Sequence, residues 1–138
     1  MKKFEPLTDF IPQMKPNTYG RWIIDKENDG SKEHPFQMPF VLYSAAIHKF
    51  IDTLYEFGDS HPEYEYTKYY NTLDSYGLKW EQTSMEEADV DNMAAKGVIA
   101  LLTGAVRAER FCDGALLGML EKGCILRWLK RLEQIDNE

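Results

Sequence analysis

Gly97-Val98-Ile99-Ala100-Leu101-Leu102-Thr103-Gly104-Ala105-Val106-Arg107-Ala108-Glu109-Arg110-Phe111-Cys112-Asp113-Gly114 opens as the most apolar run of the chain and closes in its densest cluster of alternating charge. At roughly 100° per residue, Met93, Gly97, Val98, Leu101, Leu102, Ala105, Val106, Ala108 and Cys112 spread over well more than half of a helical circumference. Such a helix is covered on several sides, so the stretch reads as a central helix, about residues 88–112, to which the rest of the chain supplies faces. Asn92, Lys96, Thr103, Arg107 and Arg110 form its narrow polar strip. Glu109 falls inside the apolar arc, near Leu102, Ala105 and Val106, where a carboxylate needs a partner. Arg21, Arg127, His48 and Tyr43 are the partners the composition offers first.

Upstream of this stretch, Ser84-Met85-Glu86-Glu87 offers a capping box, and the acidic residues through Asp91 suit the positive end of a helix starting between Ser84 and Asp91. Gly97 and Gly104, flanked by Ala100 and Ala108, leave one side thin enough for a close crossing. Downstream, Asp113-Gly114 predicts a break before Ala115, Leu116, Met119 and Leu120 continue. Gly123 ends that piece, and Ile125, Trp128, Leu129, Leu132 and Ile135 make a last amphipathic stripe.

Further out, Tyr43, Ile47, Phe50, Ile51, Leu54 and Phe57 predict a helix over Val41–Phe57, stopped by Gly58. Ser60-His61-Pro62-Glu63 then reads as a cap for a helix with Tyr66, Tyr69, Tyr70, Leu73 and Tyr76 along one side. Leu78–Gln82 stays open as a strand or a connector packed through Trp80. Near the amino terminus, Leu7–Pro12 predicts a short helical clasp. Tyr19–Asp25 has strand composition and is followed by a loop at Asn28-Asp29-Gly30-Ser31; Phe36–Phe40 can lie beside it only as an edge, because of Pro35 and Pro39. The fold expected is mainly α: one domain over residues 1–138, a bundle of four to five helices around the central one, with minor β or extended segments near 19–25 and 36–40.

The chain has 138 residues, 43% of them hydrophobic and 13% aromatic, enough for a core without metals or disulfides. A formal net charge of -7 disfavours sequence-independent binding to nucleic acid or to an anionic membrane, both of which need a basic surface. No apolar run approaches the roughly 20 residues that span a bilayer, and the first residues lack a signal-peptide core, so a cytoplasmic location is expected. Cys112 and Cys124 read as buried free thiols. His34, His48 and His61 show no metal-ligand spacing and read as surface residues; no metal and no cofactor are expected.

Leu7-Thr8-Asp9-Phe10-Ile11-Pro12, Tyr19-Gly20-Arg21-Trp22, Tyr43-Ser44, Val106-Arg107-Ala108-Glu109-Arg110-Phe111-Cys112-Asp113-Gly114 and Gly123-Cys124-Ile125 together resemble an uncharacterised bacterial family, domain of unknown function number 6508. The resemblance runs over most of the chain, and its most specific part is the Arg-Ala-Glu-Arg-Phe segment through Gly114. It implies a shared fold and says nothing about chemistry.

Arg107 and Arg110, three apart and joined by Thr103, could hold a phosphate or carboxylate, with Glu109 as an acid or base and Asp113 and Tyr43 beside them. A structural ion-pair network is the favoured alternative for the arginines, as is a buried pair for Glu109. Ser44, His48 and Asp52 copy the composition of a hydrolase triad, but no Gly-x-Ser-x-Gly elbow accompanies them. The tyrosine stripe, with Trp22 and Trp80, fits a core better than a stacking platform. Three functions follow from this balance. The first is an acidic binding or regulatory domain acting through a protein partner. The second is an enzyme or sensor for a small anionic or nucleotide-like ligand. The third is a nucleic-acid mimic from a mobile element, which would need Glu63, Glu65, Glu81, Glu86, Glu87, Asp89 and Asp91 on one face.

Overall fold

Every residue from Gly97 to Val106 is buried, which is the encirclement that the apolar run predicts. The structure is a computed structural model, and it describes residues 2–24, 30–33, 35 and 38–138. Asp25, Asn28, Asp29, His34, Phe36 and Gln37, to which parts of the strand, loop and histidine readings fall, lie outside the described residues.

In chain order the elements are α1 (Glu5–Thr8), β1 (Gly20–Ile23), β2 (Phe40–Tyr43), α2 (Ala45–Ser60), α3 (Tyr69–Ser75), α4 (Gln82–Glu86), α5 (Ala95–Ala108), α6 (Ala115–Glu121) and α7 (Cys124–Asp136). Single turns of 3-10 helix cover Ile11–Gln13, Pro62–Tyr64 and Tyr66–Lys68. The fold is mainly α with a two-stranded antiparallel sheet, and α2, α5 and α7 are its long helices. Helix α5 packs against α3, α6 and α7, while α1 clasps α2 and α7. That clasp is fixed by the Phe4 N–H donating to Asp136 Oδ2 at 3.0 Å and by the Phe4 ring beside Phe57.

The central helix is shorter than the 88–112 expected. Its start moves to Ala95 because the Ser84 hydroxyl, instead of capping it, accepts the Lys79 N–H at 2.9 Å and belongs to the separate helix α4. Ala88, Val90 and Met93 are buried and anchor the link between the two. Its end moves to Ala108, with Glu109 as C-cap, and Gly114 at φ +88° makes the predicted break. Gly104 gives the close crossing. A Cβ there would lie 3.0 Å from Met85 Cε and 3.3 Å from Trp80 Cδ1.

Two further segments depart from the periodicity. Val41 and Tyr43 belong to β2, and α2 starts at Ala45 with Ser44 as its cap, the hydroxyl accepting the Ile47 N–H at 3.3 Å. An alternation of two and a helical spacing coincide across Val41, Tyr43 and Ile47, so the pattern could not separate strand from helix there. The register pairs Gly20 with Tyr43 and Ile23 with Phe40, and the Ser44 N–H extends the ladder to Tyr19 O at 2.8 Å. The helix expected from Ser60 to Gly77 is broken at Glu65, which takes a left-handed φ of 47°. Tyr66 packs flat onto Gly58, where a Cβ would come within 2.4 Å of its ring. Only Tyr69 and Leu73 of the tyrosine stripe enter the core, and Tyr70 and Tyr76 are exposed.

Candidate functional site

Glu109 meets a phenol. The Tyr43 hydroxyl donates to Glu109 Oε1 at 2.6 Å, and the same carboxylate accepts the Gly114 N–H at 2.9 Å and the Leu116 N–H at 3.0 Å. The Tyr43 oxygen accepts the next donor, the Leu117 N–H, at 3.0 Å. Helix α6 begins at a glycine, which has no side chain to cap it, so this pair supplies the cap from two other elements. A carboxylate also suits the positive end of a helix. Burial, reinforced by the bond to Glu109, pushes the Tyr43 phenol far above its usual range, which keeps it a donor. Trp22 closes the arrangement by lying against Gly114, where a Cβ would fall 2.3 Å from the ring.

This geometry takes both oxygens of Glu109 into structural hydrogen bonds. Arg21, Arg127 and His48 are not its partners; Arg127 donates instead to the Glu86 carbonyl at 2.6 Å. Thr103 leaves the strip of candidates altogether. It is fully buried, and its hydroxyl donates back to the Ile99 carbonyl at 2.8 Å, which satisfies it inside its own helix. Asp113 is exposed on the turn.

The arginines do not form the expected ion-pair network. Among the described residues no carboxylate lies within 4.0 Å of Arg107 or Arg110. The Arg107 guanidinium lies 5.4 Å from the centre of the Tyr55 ring, and its Nε is shielded from solvent without a hydrogen-bond acceptor. Arg110 is exposed. Both act on Tyr69: burial raises its phenol, and the two guanidinium charges oppose that shift. Arg107 and Glu109 therefore do not converge on one point, since Glu109 turns toward α6 and Arg107 lies over Tyr55 of α2.

The triad-like set also dissolves. Ser44 caps α2, His48 and Asp52 are exposed, and no side-chain hydrogen bond joins the three among the described residues. His61 is partly buried; its Nδ1 lies 2.9 Å from the Phe57 carbonyl oxygen and its ring stacks on Phe57 at 4.1 Å.

A site that the sequence reading did not assemble lies beside the Glu109 clasp. Trp80, Glu81, Gln82, Met85, Ala108, Phe111, Cys112, Ala115 and Met119 line a groove of about 270 Å³. Trp80 is fixed by its Nε1–H, which donates to the Gly104 carbonyl at 2.9 Å. Phe111 stands edge-on to Trp80 at 5.6 Å, and Trp80 edge-on to Tyr69 at 5.2 Å. Phe111 is 77% exposed, the largest exposure of any aromatic side chain described. An aromatic residue among charges, immediately past a helix end, was the one available signal.

Cys112 lines this groove and is exposed, contrary to the buried thiol expected, because the helix ends before reaching it. Cys124 is buried, and burial raises its thiol. Titration of the native protein with a chromogenic disulfide is expected to show one thiol reacting fast, removed by Cys112→Ser, and a second reacting only on unfolding. Two fast thiols would contradict the burial of Cys124.

Comparisons with known proteins add a family and no activity. No curated protein matches the chain, and no solved structure does. The family model that matches is described as a family of unknown function, DUF6508, and it covers residues 1–138. The chain belongs to that family, DUF6508.

Proposed function

We propose that this chain is a protein-binding domain, regulatory in role, that docks a partner through the groove between Trp80 and Phe111. The exposure of Phe111 carries the reading. A ring held mostly in water, beside a half-buried tryptophan and above an apolar groove, gains from being covered, and aromatic anchors of this kind dominate binding energy in interfaces. The groove volume suits one large apolar side chain of a partner. The loop that presents Phe111 is pinned by Glu109 and Tyr43, so little ordering cost falls on binding.

The enzyme reading draws no support from Glu109, whose oxygens cap α6. The nucleic-acid mimic fares worse, since Glu63, Glu65 and Glu86 pair with Lys3, Lys96 and Lys122 and interrupt any acidic face. A cytoplasmic site of action belongs to the same proposal: an exposed free thiol suits a reducing compartment, and no described helix is long and apolar enough to cross a membrane.

The test is selection of a displayed library of random peptides on the native chain and on Phe111→Glu. Position 111 is exposed, so the variant is expected to unfold within about 0.5 kcal/mol of the parent. Peptides enriched on the parent and lost on Phe111→Glu support the proposal. Equal enrichment on both, or none on the parent, removes it.

A further inference from the structure

We propose that the polar cleft between α3 and the first turn of α5 binds a small neutral sugar, held through Asn71, Thr72 and Tyr76. The cleft has a volume of about 360 Å³ and shares no lining residue with the Trp80–Phe111 groove, so this inference is independent of protein docking there.

A buried hydroxyl carries it. Lys68, Asn71, Thr72, Ser75 and Tyr76 line the cleft at spacings of three and four, from the turn before α3 to just past its end, and Glu65 and Lys96 complete the lining. Every one of these side chains carries a hydrogen-bonding group, so the cleft suits a polar ligand. Thr72 is only 7% exposed, yet its hydroxyl has no hydrogen-bond partner among the described residues; the Ser75 hydroxyl donates to the Thr72 carbonyl at 2.6 Å and leaves the Thr72 hydroxyl unanswered. In the long helices Thr53 and Thr103 each return the hydroxyl to the carbonyl four residues back. Thr72 does not, and a hydroxyl held this deep gains from a partner. Unlike Trp128 Nε1 it is not sealed from solvent, so a molecule entering the cleft reaches it.

The charges of the cleft argue for a neutral ligand. Glu65 and Lys96 answer each other at 3.3 Å, so an anion entering beside them meets the carboxylate, and a cation meets the ammonium groups of Lys96 and Lys68. A sugar hydroxyl meets neither objection, because it donates and accepts at once. It also reproduces the hydrogen bonds of the water it displaces, which is the condition for displacement without loss of affinity. Thr72 and Asn71 supply donors and acceptors, and the Ser75 oxygen, its hydrogen spent on the Thr72 carbonyl, supplies an acceptor. Tyr76 supplies a ring for the C–H face of a pyranose. It is 41% exposed and braced against Gly97, where a Cβ would lie 2.8 Å from Tyr76 Cε2.

The experiment records amide nitrogen–proton correlation spectra of the native chain with D-glucose, D-galactose, D-mannose and N-acetyl-D-glucosamine, each titrated through the millimolar range, and with inorganic phosphate. At least one sugar is expected to shift the amides of Asn71, Thr72, Ser75, Tyr76 and Lys96 saturably and to leave those of Phe111 and Cys112 in place. Thr72→Val keeps the shape and removes the hydroxyl, so it is expected to weaken that binding about fivefold or more while melting no lower than the parent. Thr72→Ser keeps the hydroxyl and is expected to bind as the parent does. Asn71→Ala, at an exposed position, is expected to weaken binding without unfolding the chain. No saturable shift with any of these sugars would overturn the inference, as would equal binding by Thr72→Val and the parent, or loss of binding on Thr72→Ser as complete as on Thr72→Val. Phosphate that shifts these amides where the sugars do not would make the cleft an anion site and overturn the neutral ligand.

Discussion

Glu109→Ala is expected to lower the unfolding free energy by about 3 kcal/mol, and Tyr43→Phe by about 2 kcal/mol. The alanine leaves the Gly114 and Leu116 N–H groups and the Tyr43 hydroxyl without the acceptor they share. Each such loss costs about 1–3 kcal/mol when water cannot replace it, and the half-buried setting of Glu109 allows water to recover part. Tyr43→Phe removes one donor to Glu109 and one acceptor for the Leu117 N–H. Because the two side chains cap one helix jointly, the double variant should lose less than the sum, with a coupling of about 1 kcal/mol. Glu109→Gln should fall between, since an amide keeps one acceptor and turns a donor toward backbone N–H groups. Urea unfolding measures the free energies, and amide exchange at Gly114, Leu116 and Leu117 reports the cap directly. A loss on Glu109→Ala below about 0.5 kcal/mol, with those amides still protected, would show that α6 is not capped from Glu109.

That clasp was legible in the sequence, because a carboxylate inside an apolar arc demands an answering group and Tyr43 was among the few on offer. The encirclement of Gly97–Val106 was equally legible, as was the break at Gly114. Other features were hidden for stated physical reasons. Thr103 looked like part of a polar strip, yet a threonine can satisfy its hydroxyl on the carbonyl four residues back and be buried at no penalty in hydrogen bonds. The start of α2 was obscured because strand and helix periods coincide at Val41, Tyr43 and Ile47. The groove escaped entirely. Its lining comes from residues 80–85, 108–112 and 115–119, and only the tertiary packing of α4 against α6 brings them together. Cys112 was misplaced by the same error that made the central helix too long: once α5 ends at Ala108, the wheel no longer governs the residues beyond it.

Ala105→Glu and Ala100→Glu are each expected to lower the unfolding free energy by more than about 4 kcal/mol, while Ala94→Asp at the N-cap of the same helix stabilises the protein by about 1 kcal/mol. Ala105 has no exposed surface and Ala100 has 3%, and at 100° per residue their side chains point roughly 140° apart. A one-sided amphipathic helix would tolerate a carboxylate at one of the two. Here both would bury a longer, charged side chain in the core, at a cost above about 4 kcal/mol against a total stability of about 5–15 kcal/mol. Ala94 is exposed and stands as the N-cap of α5 without a side-chain hydrogen bond, so an aspartate there supplies an acceptor that the first turn lacks. Circular dichroism and thermal unfolding of the three variants read the outcome. If Ala100→Glu or Ala105→Glu unfolds cooperatively within about 1 kcal/mol of the parent, that side of α5 is open to water, and the closed packing that positions Trp80, Glu109 and Phe111 around it does not hold.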